Sequence, residues 1–206
     1  FGLMFALSKR AYFQTAELKA GRWTRMMNTM LQGKVLGVVG TGAIGVEMAR
    51  LARAIGMEVI AWTFNPSPER AAEYGVRFVE LDELLQQSDV VSLHVKLTED
   101  SRHLIGAREL GLMKEGALLL NGARGDVLDI DALRASLLGG HIGGAGLDVF
   151  PEEPLPADHP ILECDQVVLT PHAADQTLEG VDLLNEGAVN NVIAFLEGRP
   201  QNNVAV

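Results

Sequence analysis

Val35-Leu36-Gly37-Val38-Val39-Gly40-Thr41-Gly42-Ala43-Ile44-Gly45-Val46-Glu47-Met48-Ala49 joins a short apolar run to a three-glycine turn and then to a helix start. That order asks for a place where backbone comes very close to something. Gly40 permits a tight turn, Gly42 lets a pyrophosphate approach without meeting a Cβ, and Gly45 lets the helix lie against the strand. The free N–H groups and positive dipole end of the helix then face the phosphates. A plain glycine-rich turn is the rival reading, but it does not need three glycines at this spacing. A β-branched strand before the turn and a helical pattern over Glu47–Ala54 after it supply the context that a dinucleotide site requires.

On either side of this stretch, strand and helix signals alternate. Strands are expected at Val35–Val39, Glu58–Trp62, Val76–Val79, Val90–Val95, Ala117–Leu120, Gly144–Val149 and Val167–Leu169. Between them, helices are expected at Ile44–Ile55, in a short stretch opened by Pro66, Ser67 and Pro68 and running through Tyr74, and at Leu81–Gln87, Ala107–Met113 and Ile130–Leu138. Residues 1–20 carry apolar positions at helical spacing (Leu3, Met4, Leu7, Ala11, Ala16, Leu18) up to Gly21, and a polar connector with Trp23, Met26, Met27 and Met30 runs to Gly33. A long amphipathic helix over Leu178–Glu197 closes the pattern. Buried apolar strands alternating with helices predict a parallel α/β sheet covered on both faces. Right-handed crossovers make it a doubly wound sheet with its ligand at the carboxyl ends of the strands.

Composition narrows the function classes. The net charge is −10, with no dense basic cluster, so nucleic acid is not an expected partner. No apolar run approaches the roughly 20 residues of a membrane helix, and no leader pattern is visible, so a soluble, cytoplasmic chain is expected. Cys164 is the single cysteine, which rules out an internal disulfide; His94, His103, His141, His159 and His172 lack ligand-pair spacing, so no metal site is expected. Phe1 opens directly in an apolar stretch, which reads as a start in the middle of something larger.

Three constellations lie at expected strand ends. In Asn121-Gly122-Ala123-Arg124-Gly125-Asp126, an Arg among small residues suits a carboxylate plus an adjacent carbonyl, although a surface Arg in a turn reads equally well. In Gly146-Leu147-Asp148-Val149-Phe150-Pro151-Glu152-Glu153-Pro154, Asp148 ends an apolar strand, while Glu152 and Glu153 could be a solvated loop. In Leu169-Thr170-Pro171-His172-Ala173-Ala174, a histidine follows a buried strand; alone it would cap a helix or sit in the core. Together, Glu153 and His172 can form a carboxylate–imidazole pair that fixes the tautomer and favours the protonated ring, with Arg124 as a cation beside them. Such a set can polarise a keto group, hold its carboxylate and donate a proton as a hydride arrives.

With these residues in place, the chain resembles the D-isomer-specific 2-hydroxyacid dehydrogenases. The likeness runs from the glycine motif through SDVVSLHVKLTEDSRHLIG, NGARGDVLDIDAL, GGAGLDVFPEEPL and TPHAA. It implies a Rossmann-type sheet with hinge helices at both ends: an arm over 1–33 used for dimer contacts, a dinucleotide-binding domain over 34–177, and a return helix over 178–206. It implies Arg124 as binder of the substrate carboxylate and carbonyl, Glu153 as partner of the histidine, His172 as general acid/base, and Asp148 as holder of the nicotinamide carboxamide. Cofactor contacts are expected from Gly40, Gly42, Ala43, Ile44, Gly45, Thr63, Val95, Ala123, Arg124, Asp148, His172 and Ala174. The implied reaction moves a hydride between NAD(P)H and a 2-keto or 2-hydroxy acid in a homodimer.

Several positions depart from the family pattern. Thr63 replaces the Asp of NAD-preferring members at the end of the second strand; no Arg follows at once, although Arg70 is near, so NAD is favoured and NADP is left open. Lys96 and Gly122 replace a usual Pro and Thr, and Asp175 stands where Gly or an aromatic is common. Family members carry a further substrate domain of roughly a hundred residues before the segment that begins here, and Gly198–Val204 resembles the return to it. A non-catalytic NAD(H) sensor, like the corepressors that resemble this family, is the rival reading. A methyltransferase leaves the Arg–Glu–His order unexplained.

Overall fold

The computed structural model describes residues 1–203; residues 204–206, the end of the expected 178–206 unit, lie outside them. Its centre is a parallel sheet of β1 (Val35–Val39), β2 (Glu58–Trp62), β3 (Arg77–Phe78), β4 (Val90–Leu93), β5 (Leu118–Asn121), β6 (Gly144–Leu147) and β7 (Val167–Leu169). The spatial order is β3-β2-β1-β4-β5-β6-β7, with every pairing parallel. The order therefore reverses between β1 and β4, and a doubly wound sheet opens a crevice at that point, outside the carboxyl ends of the strands.

The α-helices among the described residues are α1 (Gly2–Lys9), α2 (Ala11–Lys19), α3 (Ala43–Ala54), α4 (Pro68–Tyr74), α5 (Leu81–Gln87), α6 (Ala107–Leu112), α7 (Ile130–Leu138) and α8 (Leu178–Leu196). Local chemistry marks their starts. Pro68 fills the first turn of α4, where its missing N–H costs nothing, and the Ser67 hydroxyl accepts from Arg70 N–H. Asp129 accepts from two N–H groups opening α7, and Thr177 accepts from Gly180 N–H at the head of α8.

The unbroken apolar runs of the central strands follow from burial on both faces. Along β4, Val91 and Leu93 join one core with Leu84, Leu110 and Leu133, whereas Val90 joins the opposite core with Leu36, Met48 and Ala52. On β5, Leu119 goes to the first core, and Leu118 and Leu120 to the second. Each fully buried Leu contributes about 1.5–3 kcal/mol relative to exposure.

Two features differ from the sequence expectation. The single helix expected over 1–20 is two helices, because Arg10 takes a left-handed conformation (φ 45) between α1 and α2. The arm expected over 1–33 is not apart from the domain: Met4 and Leu7 of α1 are buried in the second core, so α1 covers the sheet. Phe1–His172 forms one compact unit, and a second begins at Ala173. That second unit holds α8, whose Leu178, Leu183, Leu184 and Phe195 are exposed.

Candidate active site

The glycine turn sits at the carboxyl end of β1, beside the sheet's point of reversal. Gly40 has φ +100, where a side chain is strained, and a Cβ there would stand 2.7 Å from the His94 carbonyl. At Gly45 a Cβ would come within 2.0 Å of the Gly40 oxygen, so that glycine lets α3 start directly against the turn. At Gly42, the N-cap of α3, a Cβ would meet nothing within 4 Å, and no side chain caps the helix. An uncapped helix start behind an open glycine is a cradle for an anion, so the residues fit a dinucleotide pyrophosphate. Ala43 and the exposed Ile44 continue the mouth of this cradle, and buried Val95 lies against Gly40. Thr63 follows β2 directly.

His94 forms the floor. Its Nε2 lies 2.8 Å from Ser92 Oγ, and burial pushes its pKa down to about 4. The ring is therefore neutral at physiological pH, leaving no fixed charge below the turn.

On the other side of the reversal point, polar groups tie the ends of β5, β6 and β7 together. Asn121, 1% exposed at the end of an apolar strand, donates through Nδ2 to the Arg124 carbonyl (2.9 Å) and accepts through Oδ1 from Ala123 N–H (3.0 Å). Its own carbonyl accepts from Asp148 N–H at 2.9 Å. The Asp148 side chain accepts from the Thr170 hydroxyl, and its carbonyl accepts from His172 N–H at 2.8 Å. Where the first two loops cross, Gly125 touches Phe150: a Cβ on Gly125 would fall 2.0 Å from the Phe150 carbonyl carbon.

This framework holds His172 in a left-handed conformation (φ 50), uncommon for a residue with a side chain. Its Nδ1 lies 2.7 Å from Glu153 Oε2, while Glu153 Oε1 accepts from Phe150 N–H at 2.9 Å. Both carboxylate oxygens are thus engaged, one aimed by the backbone and the other aiming the ring. The hydrogen bond to Glu153 raises the His172 pKa, and the same bond, then the Phe150 N–H, lowers that of Glu153. Arg124 is exposed beside the pair, its charge felt by both, with Nη1 on the Ala123 carbonyl at 2.6 Å. A cavity of about 660 Å³ opens next to Glu153 and His172, lined mainly by Phe150, Leu155, Leu162 and Leu169. No metal-binding cluster occurs among the described residues.

The profile of the D-isomer specific 2-hydroxyacid dehydrogenase NAD binding domain matches residues 1–174. The chain belongs to that family. A glyoxylate reductase of Korarchaeum cryptofilum is 40% identical over 96% of the chain and 61% of the relative. An (S)-sulfolactate dehydrogenase of Chromohalobacter salexigens is 43% identical over 92% and 62%. Among solved structures, a D-lactate dehydrogenase of Aquifex aeolicus complexed with NAD and lactic acid superimposes with a TM-score of 0.87 at 34% identity, over 97% of this chain and 65% of that one. The chain thus spans roughly three-fifths of these relatives, the NAD-binding part.

The residues expected to touch cofactor or substrate lie in the first unit, in the loops that follow the strands or, for Ala43, Ile44 and Gly45, in the first turn of α3, apart from Ala174, which falls in the second. Asn121, Thr170, Gly125 and the Ser92–His94 pair carry the site's geometry without having been singled out from the sequence. Asn121 left a signal, a lone amide closing an all-apolar strand; the others show only in three dimensions.

Proposed function

We propose that this chain is the coenzyme half of a D-2-hydroxyacid dehydrogenase that interconverts 2-keto and 2-hydroxy acids. The observation that carries the reading is the Glu153–His172 pair set beside Arg124 at the strand ends next to an open glycine cradle. NADH bound in that cradle supplies the hydride for the keto carbon. Arg124 holds the substrate carboxylate and withdraws charge from the carbonyl oxygen. Glu153 holds Nδ1 of His172, leaving Nε2–H to donate a proton to that oxygen, so that C=O gains H⁻ and H⁺ and becomes CH–OH. In the reverse direction neutral His172 takes the hydroxyl proton. Asp148 and the turn residues Ala43, Ile44, Thr63, Val95 and Ala123 would line the dinucleotide. NAD is the inferred cofactor, because no arginine follows Thr63 at once.

Binding tests this directly. The protein is expected to enhance nicotinamide fluorescence of NADH, and Gly42→Leu is expected to abolish binding while melting like the parent, since the added side chain fills ligand space rather than protein. A folded parent that binds neither NADH nor NADPH would overturn the reading. Tenfold tighter NADPH binding, about 1.4 kcal/mol, would overturn the cofactor preference.

We further propose a homodimer formed through the arm that follows α2. Trp23, Met27 and Met30 are 83, 92 and 66% exposed, three large apolar side chains within eight residues left to solvent. A two-fold pair buries such a surface most simply. Light scattering at micromolar concentration is expected to report twice the chain mass; a monomer would refute it. Helix α8, within the 178–206 segment proposed as the return helix, carries exposed Leu178, Leu183, Leu184 and Phe195, which a further substrate domain would cover. No helix among the described residues is long and apolar enough to cross a membrane. A cytoplasmic enzyme with its buried cysteine, Cys164, left reduced is the setting we assign.

A further inference from the structure

Arg70, on α4, reaches across to the glycine turn. Its Nη2 donates to the Thr41 carbonyl (3.1 Å) and to Thr41 Oγ1 (2.9 Å), and its Nη1 donates to the Asn65 carbonyl (2.6 Å). The guanidinium lies over the Tyr74 ring, 5.6 Å from its centroid. Thr41, 3% exposed, is the residue between Gly40 and Gly42. One planar group thus spans two loops, the turn after β1 and the loop after β2.

The consequence follows from the geometry of a peptide bond. The Thr41 carbonyl and the Gly42 N–H belong to one planar, trans unit and point in opposite directions. Anchoring the oxygen fixes the hydrogen. In a turn whose glycines leave the backbone free to rotate, that plane would otherwise be held by little else. Gly42 is also the position at which an added Cβ meets open space, on the side where the cradle receives its ligand. We propose that Arg70 is a positioning residue for dinucleotide binding: by holding the Thr41 carbonyl it sets the Gly42 N–H toward the pyrophosphate before the cofactor arrives. Arg suits this role better than Lys, because its fork reaches Thr41 and Asn65 together while its face rests on Tyr74. The inference rests on the coenzyme-domain reading.

The test is a fluorescence titration of the intact protein with NADH and with NADPH, alongside thermal melts. Arg70→Ala is expected to weaken both cofactors by the same factor, about tenfold, with little change in melting temperature. Arg70→Lys, which keeps one donor, is expected to recover part of the loss. In Thr41→Val the carbonyl anchor persists, so adding Arg70→Ala to it is expected to cost nearly as much as in the parent. Unchanged affinity in a folded Arg70→Ala protein overturns the proposal. So does a loss confined to NADPH, which would make Arg70 a ligand of the 2′-phosphate. A fall in melting temperature that matches the loss, without rescue by Lys, also overturns it and leaves Arg70 merely structural. A parent that binds neither cofactor overturns both this inference and the reading beneath it.

Discussion

His172→Ala is expected to lower keto-acid reduction by the intact enzyme about 10²–10⁴-fold while cofactor affinity stays nearly unchanged. The imidazole's Nδ1 is already committed to Glu153, and that bond raises its pKa, so the ring is the acid held in place at these strand ends. The partner variant reads the same pair through pH. In the parent, the carboxylate raises the His172 pKa, so the protonated acid persists to higher pH. Glu153→Gln removes the charge and lets the pKa fall back, so the high-pH limb of reduction moves to lower pH; oxidation, which needs the neutral ring, extends to lower pH by the same shift. Steady-state pH profiles in both directions check this. A Glu153→Gln enzyme with unmoved limbs would separate the histidine from its assigned partner, and a fully active His172→Ala enzyme would remove the acid altogether.

Gly125→Ala is expected to be nearly as damaging, through backbone alone. A methyl at that position would stand 2.0–2.2 Å from the Phe150 carbonyl and the Pro151 nitrogen, and neither is a side chain that can rotate away. Overpacking typically costs about 1–3 kcal/mol, and a clash between two main chains belongs at the upper end. For a chain of this size that is a fall of about 6–12 °C in melting temperature. The loop carrying Arg124 would also part from the loop carrying Glu153, so turnover is expected to drop further than stability alone explains. Gly122 is the control three residues away: a Cβ there meets nothing within 4 Å, so Gly122→Ala is expected to stay within about 0.5 kcal/mol of the parent. A Gly125→Ala protein that melts with the parent would show that the two loops do not meet as described.

The sheet was legible because its signals are local. Apolar runs of strand length, punctuated by glycine and separated by helical periodicity, need no tertiary information, and the seven strands lie where those runs lie. The glycine motif was legible for the same reason, since each glycine answers to a neighbour in the turn or in the strand beside it. Other features depend on partners distant in the chain. Met4 and Leu7 match a surface helix as well as a buried one until the sheet edge they cover is known. Arg10 interrupts the first helix with a left-handed backbone that no residue preference announces. Thr170 and Asp148 are 22 residues apart, and Arg70 and Thr41 are 29 apart, so each bond exists only because two strand ends are neighbours. Arg124, Glu153 and His172 fall between these cases. Their residue types suggested a common task, and the fold brings them to the ends of three adjacent strands.

Backbone bonds from Asn121 to Asp148 and from Asp148 to His172, with the Thr170 hydroxyl on the Asp148 side chain, tie these strand ends to one another. Such a half-site has little reorganisation left to undergo, so the free energy of contact with an incoming acid need not be diverted into ordering it. In the proposed reaction, Arg124 and His172 engage only the carboxylate and carbonyl of the acid. One unit of this kind can serve against many complementary halves, as a common anvil serves different hammers. Relatives at about 40% identity that bear the names of glyoxylate and sulfolactate enzymes are what that modularity would leave behind.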